Sequence, residues 1–362
     1  MKANRLNFVM MGMSVTSSLG NENSKTYRNL MKGLTREGHN VLFLEREIPW
    51  NAEYRDVIGP EYGTVRMYSN EENLKDYFRY EIGGADAVIV GSDVQEAGDV
   101  GKWVLQAANG LTVFYDLDTF ATLSQMGRGA AAAATSTIVS GFDLYLSTAG
   151  GQLLNILRSH YNVGDAKSLY HCVDPELFYP RSGAKKWDMG YLGTFSMEHE
   201  PALNLLFIEP AFRWRDGRFI LAGPPSPSPS NWPNIDRITR MSPSEYNTFY
   251  NAQRFFLNYT EAERVISGYT PCMALFEAAS CGTPVIANYW EGLETFFELG
   301  REIVVACSPE HVLHYLKKMS EEERKAIGVR AHGRVKNSHT YIQRAMELEG
   351  YVRDALEKRV KV

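Results

Sequence analysis

The run RVISGYTPCMALFEAASCGTPVIANYWEGLETFF, from Arg264 to Phe297, gathers the residue types that hold an anion beside a polyol. Gly268 allows a tight turn, Thr270 can cap a helix and Pro271 suits a first helical position, so a helix is predicted here with its amide end open to phosphate oxygens. Tyr269 stands within that turn. Glu277 follows Pro271 by six residues, where a carboxylate can grip a ribose diol, and Ala278, Ala279 and Gly282 are small enough for close packing ahead of the strand PVIAN. Arg264 offers fork-like donors to phosphate oxygens; an ion pair with Glu261 or Glu263 is the competing use of the same side chain.

Three further places carry chemistry. Asp118, in YDLDT, is placed to take the proton of an attacking hydroxyl, and with Asp116 it has the spacing of a magnesium pair whose members alternation puts on one side; turn and helix capping compete with both uses. The loop GMSVTSSLGNENS, with Gly20 and Asn21 at its helix entry, can present amides to a sugar or an anion. It is not a dinucleotide fingerprint, because Ser14 stands where GxGxxG needs its second glycine, and no GxxxxGK[ST] loop occurs. Thr194, after the strand MGYLG, can touch a donor phosphate. His171 and His199 read as local hydrogen-bonding residues, and His311 with His314 lacks the third ligand of a metal site. Trp50, Tyr54, Trp103, Tyr115, Tyr289 and Trp290 fall near strand ends, where aromatic faces can stack on sugars or bases or fill the core.

The elements that must position these residues are short runs of apolar β-formers separated by helical segments. LNFVMMG, VLFLE, VRMY, DAVIVG, LTVFYD, DLYLST and KSLYH make one series; MGYLGT, RFILAG, DRITR, RFFLNY, TPVIANY and REIVVA make a second after the polar break RSGAKKWD. Apolar runs buried on both faces require parallel sheets, and right-handed crossovers make each series a doubly wound α/β domain. The expected domains are 1–178 and 179–340, facing across a cleft at the strand carboxyl ends where a nucleotide-linked substrate and an acceptor could meet; a helix within 341–362 packs back on the first. GPPSPSPSNWP, from Gly223 to Pro233, is a loop after a strand end.

Composition narrows the class. The 362 residues are 44% hydrophobic and 22% charged, and they contain no solenoid or heptad period, which excludes disordered and fibrous proteins. A formal charge of -5 argues against a general grip on nucleic acid or anionic lipid. Four isolated cysteines, without a CxxC pair, read as buried free thiols. The short apolar N-terminal run reads as a strand and not a leader, no window is long enough for a transmembrane segment, and a cytoplasmic protein is expected.

With these blocks in view, the chain resembles the group-1 glycosyltransferases of the GT-B fold, and more narrowly the spore-maturation CgeB-like family. The likeness rests on GYTPCMALFEAASCGTPVI, supported by GHNVLFLEREIPW, ADAVIVGS and VFYDLDT. It implies transfer of a sugar from a nucleotide-diphosphate donor such as a UDP-sugar to a hydroxyl acceptor on a glycan, lipid, protein or small molecule. It also implies that Glu277 holds the donor ribose and that Arg264, Gly268, Tyr269, Thr270 and Pro271 surround the diphosphate. Neither a metal nor a resident cofactor is expected, since donor phosphates dock away from Asp116. Tyr269 departs from the pattern, which usually has a second glutamate there, eight residues before the ribose-binding one. A nucleotide-sugar epimerase on the same fold and a noncatalytic assembly protein are the alternatives.

Overall fold

A computed structural model of the chain describes residues 4–18, 21–57, 61–126, 138–193, 201–224 and 232–360. They form two compact units: residues up to Cys172 together with Tyr341 onward, and Val173–Thr340.

In the first unit, β1 (Asn7–Gly12), β2 (Asn40–Arg46), β3 (Thr64–Tyr68), β4 (Ala87–Gly91), β5 (Leu111–Asp116), β6 (Leu144–Ser147) and β7 (Ala166–Ser168) make one parallel sheet in the order β3-β2-β1-β4-β5-β6-β7. The chain direction of growth reverses between β1 and β4, and open α/β sheets bind ligands at the carboxyl side of that switch point. Every residue of β4 and β5 is buried, which is why these runs are apolar without alternation. Phe8 and Met10 enter one core with Tyr27, Leu30, Leu348 and Val352; Val9 and Met11 enter the other with Phe78, Trp103 and Tyr145.

The helices are α1 (Asn23–Arg36), α2 (Pro49–Glu53), α3 (Glu71–Gly84), α4 (Ala97–Ala107), α5 (Thr119–Met126) and α6 (Gln152–His160). Asn70 starts α3 by accepting the Asn73 amide at 2.8 Å. The C-terminal helix Tyr341–Val360 packs on α1. Its Glu349 stands 3.3 Å from Nε2 of His39, whose Nδ1 accepts the Leu6 amide at 3.1 Å.

The second unit repeats the plan with β8 (Trp187–Leu192), β9 (Phe219–Ala222), β10 (Ile235–Ile238), β11 (Gln253–Asn258), β12 (Val285–Ala287) and β13 (Val304–Val305), parallel in the order β10-β9-β8-β11-β12-β13. Its helices include α7 (Tyr246–Asn251), α8 (Ala262–Ser267), α9 (Met273–Ser280), α10 (Pro309–Lys318) and α11 (Glu321–Ser338). Ser308 and Ser320 cap the last two, accepting the amides of His311 and Glu323. Both halves are thus doubly wound parallel sheets, as the apolar runs predict. Among the described residues no helix is long and apolar enough to cross a membrane. All four cysteines are free; Cys172 and Cys281 are buried, whereas Cys272 is partly buried and Cys307 exposed, against the expectation that all would be buried.

Candidate functional site

The predicted donor segment lies at the carboxyl ends of β11 and β12. Thr260 donates its amide to Asn288 Oδ1 at 2.8 Å, and Asn288 Nδ2 returns a bond to the Thr260 carbonyl at 2.7 Å, which ties the two loops together. After α8, of which no residue is buried, the chain turns through Gly268 at φ +66° and Tyr269 at φ +46°. A Cβ on Gly268 would meet the Glu291 carbonyl oxygen at 2.7 Å, so glycine is needed there. Tyr269 donates its amide to that same oxygen at 2.7 Å. A left-handed tyrosine costs on the order of 1–3 kcal/mol, and such residues collect at binding sites, where the surroundings hold them in place.

The predicted helix start needs correction. Helix α9 begins at Met273, with Cys272 as its extended N-cap at ψ 161°, so Thr270 is not the cap and Pro271 is not the first helical residue. The bond from Tyr269 to Glu291 carries the backbone along the β12 loop before a helical turn can close. The Cys272 side chain makes no cap bond to α9, whose first turn carries the positive end of the helix dipole. Asn258 Nδ2 instead contacts Cys272 Sγ at 2.8 Å.

Glu277 lies in the second turn of α9, only 2% exposed. Its Oε2 accepts the Tyr250 hydroxyl at 2.8 Å. Burial, with the Glu277 charge beside it, holds the Tyr250 phenol well above its ordinary pKa. The neighbouring Cys281 thiol is pushed up by burial and by the same carboxylate. Tyr250 was missed by sequence reasoning: it sits on a six-residue helix before β11, with nothing local to distinguish it from core. Arg264 Nε lies 3.5 Å from Glu261 Oε2 on the surface of α8, so the structure contains the ion pair that competes with phosphate for this guanidinium.

In the first unit the acidic pair separates, which corrects the expectation that both side chains share one side. Asp116 is fully buried, bonded by the hydroxyl of Tyr145 and by that of Thr122 at 2.9 Å, and burial raises its pKa. Asp118 lies past the strand end and accepts the Ala121 amide at 3.2 Å, capping α5. Among the described residues no group of three or more potential metal ligands is assembled. Asn21 reaches the Ser14 carbonyl at 3.4 Å; Gly20 and Thr194 lie outside the described residues.

The loop after β1 is shaped by two carboxylates that sequence reasoning did not single out. Glu45, wholly buried at the end of β2, accepts from Ser14 Oγ at 2.8 Å, Val15 N at 2.7 Å, Thr16 N at 3.0 Å and Thr16 Oγ1 at 2.6 Å. At the end of β4, Asp93 accepts the Tyr27 hydroxyl at 2.6 Å and Asn23 Nδ2 at 3.1 Å, and burial raises its pKa. The Tyr27 ring occupies the space over Gly12, where a Cβ would come within 2.4 Å of it. This glycine therefore accommodates an aromatic ring, in keeping with the absence of a dinucleotide fingerprint. Of the aromatic candidates, Trp103, Tyr115 and Trp290 are core residues; Trp50, tilted against Tyr54 with ring centroids 4.5 Å apart, and Tyr289 are exposed.

Residues 204–350, which include the whole Arg264 to Phe297 segment, match the family model described as glycosyl transferase-like. No curated protein sequence matches the chain. Among solved structures, it is similar to sucrose-phosphate synthase from Thermosynechococcus elongatus, at TM-score 0.69 and 16% identity over 97% of this chain and 99% of that one. HepE from Anabaena, in complex with UDP and glucose, aligns at TM-score 0.68 and 12% identity over 97% and 100% of the two chains. An alpha-glucosyltransferase in complex with UDP aligns at TM-score 0.71 and 11% identity over 96% and 100%. A putative UDP-N-acetylglucosamine 2-epimerase from Listeria monocytogenes aligns less well, at TM-score 0.58 and 11% identity over 98% of each chain. The chain thus has the two-domain α/β fold of the GT-B glycosyltransferase structures, and its second half carries the glycosyl transferase-like signature.

Proposed function

We propose that the chain is a glycosyltransferase that moves a sugar from a nucleoside-diphosphate donor, a UDP-sugar in the first instance, to a hydroxyl acceptor. One observation carries this reading: the strained Gly268–Tyr269 turn leads into the amide end of α9, with Glu277 in the next turn, inside the segment that matches the family model. The donor diphosphate is assigned to those amides, with Thr270 and Pro271 on the approach, the ribose diol to Glu277, and a further phosphate contact to Thr194. The acceptor oxygen attacks the anomeric carbon while the bond to the diphosphate breaks. The helix dipole and Arg264, once it leaves Glu261, stabilise the departing charge, and Asp118 receives the hydroxyl proton. Gly20 and Asn21 belong to the acceptor side. This chemistry needs neither a resident metal nor a cofactor. The narrower CgeB-like assignment rests on the sequence resemblance of the donor segment, with GHNVLFLEREIPW, ADAVIVGS and VFYDLDT beside it.

Incubating the protein with UDP-glucose and GDP-mannose, with and without a panel of hydroxyl acceptors, tests this reading. Transfer releases the free nucleoside diphosphate and adds one sugar mass to an acceptor. Epimerisation instead leaves the nucleotide attached to a sugar of changed configuration, and a noncatalytic protein leaves the donor untouched; either result would displace the proposal.

A further inference from the structure

We propose that Tyr250 is a positioning residue for donor recognition, its phenol fixing the Glu277 carboxylate in the orientation that meets the ribose diol; this rests on the assignment of Glu277 above. A free glutamate side chain samples several rotamers, and holding one of them for a ligand costs conformational entropy at the moment of binding. Here that ordering is already present in the fold. The Tyr250 hydroxyl donates to Glu277 Oε2 at 2.8 Å, and neither residue has appreciable contact with solvent.

The tyrosine cannot readily move away. Its ring is held edge-on by Phe256 at 5.1 Å, Phe249 at 5.6 Å and Phe178 at 6.1 Å, and its carbonyl accepts Thr283 Oγ1 at 2.8 Å. A buried phenol requires an acceptor and a buried carboxylate requires donors, and this bond gives the phenol its acceptor and Oε2 a donor. Oε2 is the oxygen so engaged, which directs the edge of the carboxylate carrying Oε1 to a single place relative to α9. Two hydroxyls on adjacent ribose carbons present donors at the spacing a carboxylate accepts, and a carboxylate turned out of that orientation would meet only one of them.

The test is a cycle between protein and ligand. Tyr250→Phe removes the hydroxyl and keeps the ring; binding of UDP and of 2′,3′-dideoxy-UDP, which lacks the diol, is measured by calorimetry for both proteins, with GDP and its dideoxy analogue alongside. The expected result is that the substitution weakens the diol-bearing nucleotide about tenfold, in line with loss of a hydrogen bond to a charged group, and changes the dideoxy analogue by less than about twofold. Adding Tyr250→Phe to Glu277→Gln should then cost nothing further. An equal loss for both ligands, or none for either, overturns the positioning role, since a general loosening of the core would not depend on the diol. If the unsubstituted protein binds a nucleotide but does not distinguish it from its dideoxy analogue, the assignment of Glu277 to ribose fails, and the role of Tyr250 with it. If it binds none of these nucleotides, nor dTDP or ADP, the transferase reading itself fails.

Discussion

The ring of Tyr269 lies against Gly292: a Cβ at Gly292 would stand 2.5 Å from Tyr269 Cδ1. Two loops, one leading into α9 and one following β12, are locked by this contact and by the Tyr269 amide on the Glu291 carbonyl. The position that usually carries a glutamate in the group-1 resemblance is therefore used here to hold a strained turn.

Gly292→Ala is expected to destabilise the protein by about 1–3 kcal/mol, because φ at this position is +96° and the added methyl displaces the tyrosine. Denaturant titration measures the loss. Nucleotide affinity should fall with it, since the amide end of α9 is delivered by the same turn.

How much of this was legible in the sequence differs by element. The strands were readable because continuous apolar β-formers have few alternatives to a doubly covered parallel sheet. The start of α9 was misread because Thr270 and Pro271 are strong local signals, whereas the deciding bond runs from Tyr269 to Glu291, 22 residues along the chain. Glu45 ends the run VLFLE and invites no particular reading until the fold brings Ser14, Val15 and Thr16 to it. Trp290 follows a strand end, as a ligand-stacking residue would, yet it is 1% exposed and packs on Phe296 at 5.7 Å.

Asp118 has a structural and a proposed chemical role, and two substitutions separate them. Asp118→Asn keeps a capping oxygen and should leave stability nearly unchanged while reducing kcat by about 100-fold or more, the contribution expected of a general base. Asp118→Ala should lose about 1 kcal/mol of stability as well, through the missing bond to the Ala121 amide. Retained turnover in Asp118→Asn would leave only the cap.

The loop after β1 depends on Glu45. Glu45→Ala leaves the amides of Val15 and Thr16 and two hydroxyls without their shared acceptor, and the expected cost is about 3 kcal/mol. Thermal unfolding followed by calorimetry is the check; a change within about 0.5 kcal/mol, the usual range for surface positions, would contradict it.

Acid should act on α11 through Glu321. Its hydrogen bonds from Arg324 lower its pKa from 4.5 to about 2, so the stabilisation it provides is present above pH 4.5 and is lost as pH falls through 2. Its carboxylate is half exposed, and solvent screening keeps the contribution below about 1 kcal/mol. The stability difference between the protein and Glu321→Gln, measured in urea at pH 6, 4 and 2.5, should shrink in that order. A difference independent of pH would show that the ion pair is not its source.

Calorimetric titration with UDP, GDP, dTDP and ADP, repeated with Glu277→Ala and Arg264→Ala, tests the donor assignment most directly. One nucleotide should bind with a stoichiometry of one and bind at least tenfold more weakly to each variant, as expected when a charged contact to the ligand is lost. Absence of binding by all four at millimolar concentration, or equal affinity in both variants, would contradict the placement of a nucleotide-sugar donor at α9.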